Sequence, residues 1–393
     1  MELAIKVLLV CYAAAVASLA WNWVRSVFLV GGQRGLEPLD DIGRGWPSVD
    51  VVVPVKDEQR HIARCLESIV ESGYPGLRVL TVNDRSTDGT AAEIAEVRRR
   101  HPQIDSNEIR ELPAGLFGKP HAIHSISSRL QGAYVAFVDS DLRLHPRCLH
   151  TLVAHMHAEG LDWLALGGTP DLCGFWERLV IPVCGAVAMA WYDPRRVRDP
   201  NWDDALGSPL MVCRREAYER IGGHGAVVRE YDEDSALMRL AKRSGQRVAF
   251  ELAPRLFAQR FYGGLRDTIR GMTRTFAGGI KTLPRLMHTA AALQFVSLAP
   301  LGLAAALAWA WAAEARIPWR AAWTAAAGVH LVVAFLLARL VFRTAGQARL
   351  AWLHPLGAMI ATYITIRAAA HQRARKAIEW RGTTYGFHAA GGQ

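Results

Sequence analysis

Tyr134-Val-Ala-Phe-Val-Asp-Ser-Asp-Leu142 is an apolar run that ends in two carboxylates, Asp139 and Asp141, separated by one serine. A short, continuous apolar run predicts a buried strand of a parallel sheet, and ligands of open α/β sheets bind beyond the carboxyl ends of such strands. Two hard oxygen ligands at that position can hold Mg²⁺ or Mn²⁺ and leave coordination positions for phosphate oxygens. A solvated turn that caps the next helix is the alternative, so the motif indicates a metal site only if other acids accompany it.

Alternating strands and helices surround this run. Residues 48–55 are apolar and lead into a segment, 62–70, whose apolar residues recur at helical spacing. A helix over 146–158 and a strand over 163–168 continue the alternation after the run. The pattern predicts an α/β domain with a mainly parallel sheet and flanking helices.

A second strand, predicted over 79–84, ends in a carboxylate, Asp84. The polar turn after it contains small residues that let the backbone approach a ligand, and a helix is predicted over 90–100. Asp84 is therefore placed to accept hydrogen bonds from the base or ribose of a nucleotide. Capping of the following helix suits Asp88 better, because Asp88 lies closer to it.

Gly118-Lys119 begins a helix predicted to continue to Gln131. A lysine at a helix N-terminus can bind a diphosphate, because both its charge and the helix dipole favour anions. A Gly-Lys pair on its own is more often a surface feature.

Three consecutive acids, Asp232, Glu233 and Asp234, open an amphipathic helix that runs to residue 245. Acids at a helix N-terminus complement the dipole, but three exceed what capping needs. Mutual repulsion should raise the pKa of at least one of them, as suits a general base. Neighbouring side chains diverge at a helix start, so Glu233 and Asp234 are expected to face different directions.

In this order, the motifs resemble the family 2 glycosyltransferases, which have the GT-A fold. The resemblance covers about residues 47–285 and implies a site for each motif. Asp234 matches the catalytic base, with Glu233 as second choice, and Asp141 with Asp139 matches the metal site. The donor-binding residues that it implies are Pro54, Glu58, Asp84, Lys119 and Asp139.

The resemblance extends to the membrane-bound branch that glycosylates lipids, which includes hopanoid-associated, carotenoid and ceramide-type enzymes. It implies an inverting transfer from a nucleotide diphosphate sugar to a lipid hydroxyl, with a divalent metal. The Gln/Arg-x-x-Arg-Trp motif of processive polysaccharide synthases and of ceramide glucosyltransferases is absent after Asp234, and the nearest segment, 266–271, lacks the tryptophan. A polysaccharide synthase, a non-catalytic membrane scaffold and a nucleotidyltransferase are the alternatives.

Four apolar runs, at 7–24, 289–313, 321–342 and 350–366, approach the length that crosses a bilayer. The first lacks a small-x-small cleavage site, which favours an uncleaved transmembrane helix over a signal peptide. The run at 175–192 is interrupted by charges and proline, which favours an interfacial element or a wall of the acceptor site.

Basic residues set the expected orientation. Arg25, Arg34 and Arg44 follow the first helix, so the positive-inside rule places the globular domain in the cytoplasm at the inner (plasma) membrane. Three C-terminal crossings would then leave the basic tail outside, against the same rule, so one of the runs does not cross or the rule fails. The sequence does not decide between 289–313, broken by Pro300, and 350–366.

Charge and cysteine content agree with a membrane-bound cytoplasmic domain. The net charge of +10 is concentrated near apolar runs, which indicates attraction to anionic lipids and no nucleic-acid partner. The six cysteines form no Cys-x-x-Cys pair and are expected to be free thiols. The predicted layout is as follows: a transmembrane helix in 1–30, a glycosyltransferase domain in 46–263, an interfacial amphipathic segment in 264–288, a transmembrane region in 289–366 and a basic tail in 367–393.

Overall fold

The computed structural model describes residues 2–31, 35–39, 45–260, 262–280, 282–315, 317–374, 378–380 and 383–385. The chain divides into two compact units. The helical unit comprises Met1–Gln33, Leu172–Tyr192 and Tyr262–Lys376. The sheet unit comprises Arg34–Asp171, Asp193–Phe261 and Ala377–Gln393.

All strands belong to the sheet unit. They are β1 Val49–Val55, β2 Leu77–Asp84, β3 Ile104–Ile109, β4 Tyr134–Val138, β5 Leu142–Leu144, β6 Trp163–Gly167, β7 Thr169–Asp171, β8 Leu210–Arg214, β9 Val248–Leu252, β10 Phe257–Arg260, β11 Ile378–Trp380 and β12 Thr383–Tyr385.

The α-helices are divided between the two units. They are α1 Glu2–Gly31, α2 Ile62–Val70, α3 Thr90–Arg100, α4 Gly118–Ser125, α5 Cys148–Glu159, α6 Phe175–Trp191, α7 Arg215–Arg220, α8 Glu233–Arg243, α9 Leu265–Gly279, α10 Leu283–Ser297, α11 Ala299–Ala312, α12 Arg320–Thr344 and α13 His354–Arg373.

A seven-stranded sheet in the order β3-β2-β1-β4-β8-β6-β9 forms the centre of the sheet unit. All neighbouring pairs are parallel except those made by β8, which is antiparallel to both β4 and β6. The predicted mainly parallel α/β sheet is confirmed. Because β1, β2 and β4 are parallel neighbours, their carboxyl ends meet at one edge, where the acids after β2 and β4 lie.

Each face of this sheet is covered by helices. Val51 and Val53 of β1 pack with α2, α3 and α5 in one apolar core. Val52 of β1 packs with α4, α7 and α8 in the other core. Alternating side chains of one strand thus enter two cores, which is why apolar residues occupy successive positions in β4 and in most of β1.

Three local features differ from the sequence prediction. β3 is a strand although its sequence, IDSNEI, is largely polar, because it is the edge strand beside β2 and only its ends are buried. A second sheet, β5-β10-β7, follows the aspartate motif and was not expected. The helix expected to reach Gln131 ends at Ser125, and a short 3₁₀ turn follows it.

The helical unit contains α1, α6 and α9 to α13. α13 packs against α6 closely, and a Cβ at Gly357 would lie 2.9 Å from the carbonyl oxygen of Leu179. Polar side chains also link its helices: Gln294 Nε2 donates to Thr362 Oγ1 at 2.6 Å, and Trp191 Nε1 donates to Thr289 Oγ1 at 2.8 Å.

In the part of the chain that the structure describes, two helices are long and apolar enough to cross a membrane, over Glu2–Asn22 and Arg320–Thr344. A third crossing is available if α10 and α11, which meet at a bend of 42°, form one broken span. Among the described residues, α13 does not pass the same test of length and hydropathy.

Several residues used in the sequence analysis lie outside the described ranges. They are Arg34, Arg44, Lys281 and much of the tail, namely 375–377, 381–382 and 386–393. In α9 the expected stripe of apolar residues is partly used inside the helical unit, since Met272 and Phe276 are buried. Leu265 and Ile269 of the same helix are partly exposed, and Arg266 and Arg270 are exposed.

Asp50 fastens β1 to the turn before β4. Its side chain is buried, and its Oδ2 accepts hydrogen bonds from the backbone N–H groups of Gln131 at 2.5 Å and Gly132 at 2.8 Å. Arg78 Nη1 lies 3.4 Å from Oδ1. The carboxylate thus supplies acceptors for two donors that would otherwise lack them.

We expect Asp50→Ala to lower the free energy of unfolding by about 2–5 kcal/mol, because it leaves buried N–H groups without an acceptor. Urea titration followed by tryptophan fluorescence measures this. Asp105→Ala, which removes an exposed carboxylate paired with Arg129, is the control and should cost less than about 1 kcal/mol. Equal losses in the two variants would contradict the role given to Asp50.

Candidate active site

The turns after β1 and β2 are bound to each other at the carboxyl edge. Asp57, in the left-handed region with φ 50°, accepts from the backbone N–H of Thr87 at 2.6 Å. The backbone N–H of Glu58 donates to Thr90 Oγ1 at 2.7 Å, and Glu58 itself is buried. Asp88 Oδ1 accepts from the backbone N–H of Thr90, the first residue of α3, so Asp88 caps that helix as the sequence suggests.

Asp84 is buried at the end of β2 and is bound by its neighbour. Arg85, with φ 54°, donates from Nε to Asp84 Oδ1 at 2.7 Å and from Nη2 to Oδ2 at 3.0 Å. Lys56 Nζ holds this backbone by donating to the carbonyl oxygens of Asp84 at 3.2 Å and Arg85 at 3.0 Å. Any ligand of Asp84 must therefore share the carboxylate with a guanidinium, which the sequence did not reveal.

Pro54 is placed differently from the acids. It is buried inside β1, in register with Val82 of β2, and so lies within the sheet. Its predicted contact with the donor stays a prediction.

The aspartate motif sits in a tight turn between β4 and β5. The backbone N–H of Asp139 donates to the carbonyl oxygen of Pro209 at 2.9 Å, and that of Leu142 donates to the carbonyl oxygen of Asp139 at 3.1 Å. Gln259 Nε2 of β10 donates to Asp141 Oδ2 at 3.4 Å. Gln259 was missed because a lone glutamine more than a hundred residues from the motif carries no sequence signal.

Lys119 lies at the centre of the acids. Its Nζ is 2.8 Å from Asp139 Oδ1, 2.8 Å from Glu233 Oε1 and 3.1 Å from Asp234 Oδ2. Asp139 follows β4, Lys119 is in the first turn of α4, and the two other acids open α8. The structure thus joins three separate motifs at one ammonium group. The expectation that Glu233 and Asp234 face different directions is wrong, because both side chains reach Lys119.

The charges of this cluster do not cancel. Burial works against the charged form of Lys119, but Asp139, Asp234 and Glu233 outweigh it and hold the lysine pKa well above its ordinary value. Burial and the charges of Glu233 and Asp139 raise the pKa of Asp234 well above its ordinary value, against the opposing effect of Lys119. Three carboxylates around one cation therefore leave an excess of negative charge beside Asp234.

Gly207 fixes the position of Asp234 from the other side. Its backbone N–H donates to Ser235 Oγ at 3.1 Å, and Ser235 Oγ donates to Asp232 Oδ1 at 3.0 Å. A Cβ on Gly207 would lie 2.4 Å from the Cβ of Asp234. Only glycine allows this approach, which presses the loop against the first turn of α8; the sequence had no signal for it.

The aspartate motif fits a divalent metal that shares its coordination with a phosphate donor. Asp139 and Asp141 offer hard oxygen ligands, the type that Mg²⁺ and Mn²⁺ prefer. Within the described residues, no group of three or more His, Cys, Asp or Glu side chains is arranged to hold a metal ion. Two carboxylates leave most coordination positions to a diphosphate and water, as is usual for Mg²⁺.

Parts of this chain are similar to known proteins. Residues 50–222 match the model of the family described as glycosyl transferase family 2. The chain is 24% identical over 352 residues to 4,4'-diaponeurosporenoate glycosyltransferase of Staphylococcus aureus strain USA300, covering 86% of this chain and 88% of the relative. The enzyme of the same description from the bovine strain RF122 is 26% identical over 272 residues, 66% of this chain and 69% of the relative.

A solved structure is similar along almost the whole chain. It is mannosyltransferase PcManGT from Pyrobaculum calidifontis in complex with GDP-Man and Mn2+. The TM-score is 0.54 at 20% identity, and the match covers 95% of this chain and 99% of that one. At that identity the likeness supports the GT-A-like fold alone.

The charge of Asp234 gives a prediction for stability. Because its folded pKa is raised above the unfolded value, the folded state binds more protons at this carboxyl than the unfolded chain does once the pH exceeds the unfolded pKa, so this carboxylate destabilises the fold as pH rises. With a chelator present, Asp234→Asn should melt higher than the unmodified chain at pH 8, by about 2–4 °C if the gain is about 1 kcal/mol. The difference should shrink towards pH 4.5. Differential scanning fluorimetry of the full chain in detergent measures it.

Asp88→Asn is the opposite control. Burial favours the neutral form, but hydrogen bonds from Thr90 and Gln59 outweigh it and lower the pKa of Asp88. This carboxylate therefore stabilises the fold above its unfolded pKa, and Asp88→Asn should melt lower at pH 8. A lower melting temperature for Asp234→Asn at pH 8 would show that the negative charge of Asp234 does not destabilise the fold.

Proposed function

Because residues 50–222 match the model of glycosyl transferase family 2, we propose that this chain transfers a sugar from a nucleotide diphosphate sugar to the hydroxyl of a membrane lipid, with inversion at the anomeric carbon. The observation that carries the proposal is the cluster at Lys119. Asp139, the predicted metal ligand, contacts the same ammonium group as both candidate bases, Glu233 and Asp234. A group-transfer enzyme needs its leaving-group site and its base this close together.

The donor half of the site is assigned to the carboxyl ends of β1, β2 and β4. In this proposal Asp84 and Glu58 contact the nucleoside, and Asp139 with Asp141 hold the diphosphate through the metal. A divalent metal held by these two aspartates would offset the charge on the leaving diphosphate. Lys119, at the N-terminus of α4, adds a fixed cation on the same side.

The acceptor half is assigned to the start of α8. Asp234 takes the proton of the acceptor hydroxyl while the oxygen attacks the anomeric carbon. The bond from that carbon to the phosphate oxygen breaks, and its electron pair leaves with the diphosphate. The raised pKa of Asp234 brings it nearer to the pH at which a base works best.

A lipid acceptor is supported by the helical unit. Two candidate membrane helices, with a third available from α10 and α11, provide an apolar environment in the same chain. The exposed arginines of α9 can hold anionic headgroups, at about 1 kcal/mol per cation near such a surface. The relatives named above are 4,4'-diaponeurosporenoate glycosyltransferases, and we likewise propose an apolar, lipid-soluble acceptor, here with a hydroxyl as the group that receives the sugar.

A topology of three crossings also resolves the conflict of the positive-inside rule. With α1, the pair α10 and α11, and α12 as crossings, Arg25, Arg367 and Arg373 all lie on the cytoplasmic side. In this proposal α13 stays at that side and does not cross.

The proposal is tested by separating binding from chemistry. Asp234→Asn should leave donor and metal binding intact, since those are assigned elsewhere, and should slow transfer by about a hundredfold to ten-thousandfold. Calorimetric titration of the donor with Mn²⁺ and a radiolabelled-sugar transfer assay measure the two effects. Asp141→Asn should show the reverse order, with loss of metal-dependent donor binding first.

Glu233→Gln is the matched control, because it removes a neighbouring charge that also contacts Lys119. A larger loss of turnover in Glu233→Gln would move the role of base to Glu233. Near-normal turnover in Asp234→Asn, with Asp141→Asn inactive, would sink the single-displacement mechanism while leaving the metal site.

A further inference from the structure

The ammonium of Lys119 is surrounded by carboxylates in this structure. A lysine ammonium carries three N–H donors and no acceptor. Its Nζ lies 2.8 Å from Asp139, 2.8 Å from Glu233 and 3.1 Å from Asp234, and both carboxylate oxygens of Asp234 accept hydrogen bonds from it. A diphosphate that binds Lys119 therefore competes with these carboxylates for the ammonium.

Asp139 is the partner to be released. It is the most exposed of the three, with 31% of its side chain accessible against 8% for Glu233 and 20% for Asp234. It also stands in the turn between β4 and β5, whereas the other two open α8. Glu233 and Asp234 therefore keep Lys119 in place when Asp139 turns to a different cation.

Two cations compete for the carboxylate of Asp139. Its Oδ1 forms an ion pair with Lys119, and as a metal ligand the carboxylate would place a dication beside the ammonium. Two positive charges within a few ångströms repel each other strongly in a partly buried site. A metal that arrives alone must overcome this repulsion and displace the lysine.

We propose that Lys119 is a positioning residue that competes with the divalent metal for Asp139 until the diphosphate arrives. This inference rests on the proposed function and adds an order of assembly to it. The metal alone binds weakly, because Lys119 forms an ion pair with Asp139 and its positive charge repels the metal ion. The oxygens of a bound nucleotide diphosphate would take the place of Asp139 at Lys119, which would free Asp139 for the metal and leave anions between the two cations.

This exchange ties the base to the donor. The ammonium of Lys119 contacts Asp139, Glu233 and Asp234. When one of its N–H groups turns to the diphosphate, Lys119 connects the leaving group to the carboxylate that accepts the proton. The site is then complete only with metal and donor together, which disfavours occupation by free metal.

The test is Mn²⁺ binding to the full chain in detergent, measured from the electron paramagnetic resonance signal of free Mn²⁺, with and without a nucleoside diphosphate. Lys119→Met should bind Mn²⁺ alone about tenfold or more tightly than the unmodified chain, because the competing charge is gone. The same variant should bind Mn²⁺ with the diphosphate more weakly than the unmodified chain. A merely structural lysine would weaken both, and a simple phosphate ligand would leave binding of the metal alone unchanged.

Lys242→Met is the matched control. Lys242 Nζ donates to the backbone carbonyls of Arg196, Val197 and Asp204, at 3.3, 2.8 and 3.4 Å. Its loss should change neither Mn²⁺ affinity. Lys119→Arg, which keeps the charge, should keep weak binding of the metal alone.

A measurement on the unmodified chain covers the case in which Lys119→Met does not fold. Acylation of Lys119 by an amine-reactive ester, read by peptide mass spectrometry, should be slow without ligands and faster when Mn²⁺ alone saturates the protein. It should slow again when the diphosphate is added. Acylation unaffected by Mn²⁺, or unchanged affinity for the metal alone in Lys119→Met, would overturn the inference.

The two levels of the proposal fail differently. If the unmodified chain binds no Mn²⁺ even with a nucleoside diphosphate, the metal-dependent donor site fails and this inference fails with it. If it binds Mn²⁺ with the diphosphate but Lys119→Met shows no gain for the metal alone, the donor site stands and the competition is refuted.

Discussion

One ammonium group among three carboxylates is the constraint on which the rest of the site depends. Without Lys119, the sheet unit would hold Asp139, Glu233 and Asp234 close together with no compensating charge. Removing one partner of a buried charge cluster is costly, because the remaining charges stay desolvated. The elements that carry these residues, β4, α4 and α8, are therefore linked electrostatically as well as through their cores.

The fold supplies this arrangement from several directions. Parallel β1, β2 and β4 end at one edge, and α4 and α8 pack on the same face of the sheet, in one apolar core. Gly207 then allows a loop to approach the first turn of α8 at a distance that a side chain would forbid. Burial, together with the excess negative charge that results, raises the pKa of Asp234, and the same charge makes the site suitable for cations.

The sequence predicted the sheet and the positions of the acids well, because both depend on local patterns. Buried strands are apolar runs, and Asp84, Asp139 and Asp141 directly follow or lie beside them. Contacts over long separations were not predictable. Lys119 and Asp234 are 115 residues apart, and nothing in either motif names the other.

The missed elements have the same explanation. β3 is polar because an edge strand buries little, so no hydrophobic pattern marks it. Gln259 of β10 and Arg85 have no motif of their own, and each gains a role only when folding brings it to an aspartate. The number of membrane crossings depends on how broken apolar helices pack, which hydropathy alone does not determine.

The central claim is that this chain adds a sugar to a membrane lipid. The most direct test compares lipid extracts by mass spectrometry from bacterial cells that express the unmodified chain, the Asp234→Asn variant, or neither. The account predicts a lipid heavier by one sugar residue in the first cells only, with both proteins present in equal amounts in the membrane. Identical lipid profiles in all three, or a product that grows by repeated sugar units, would contradict it.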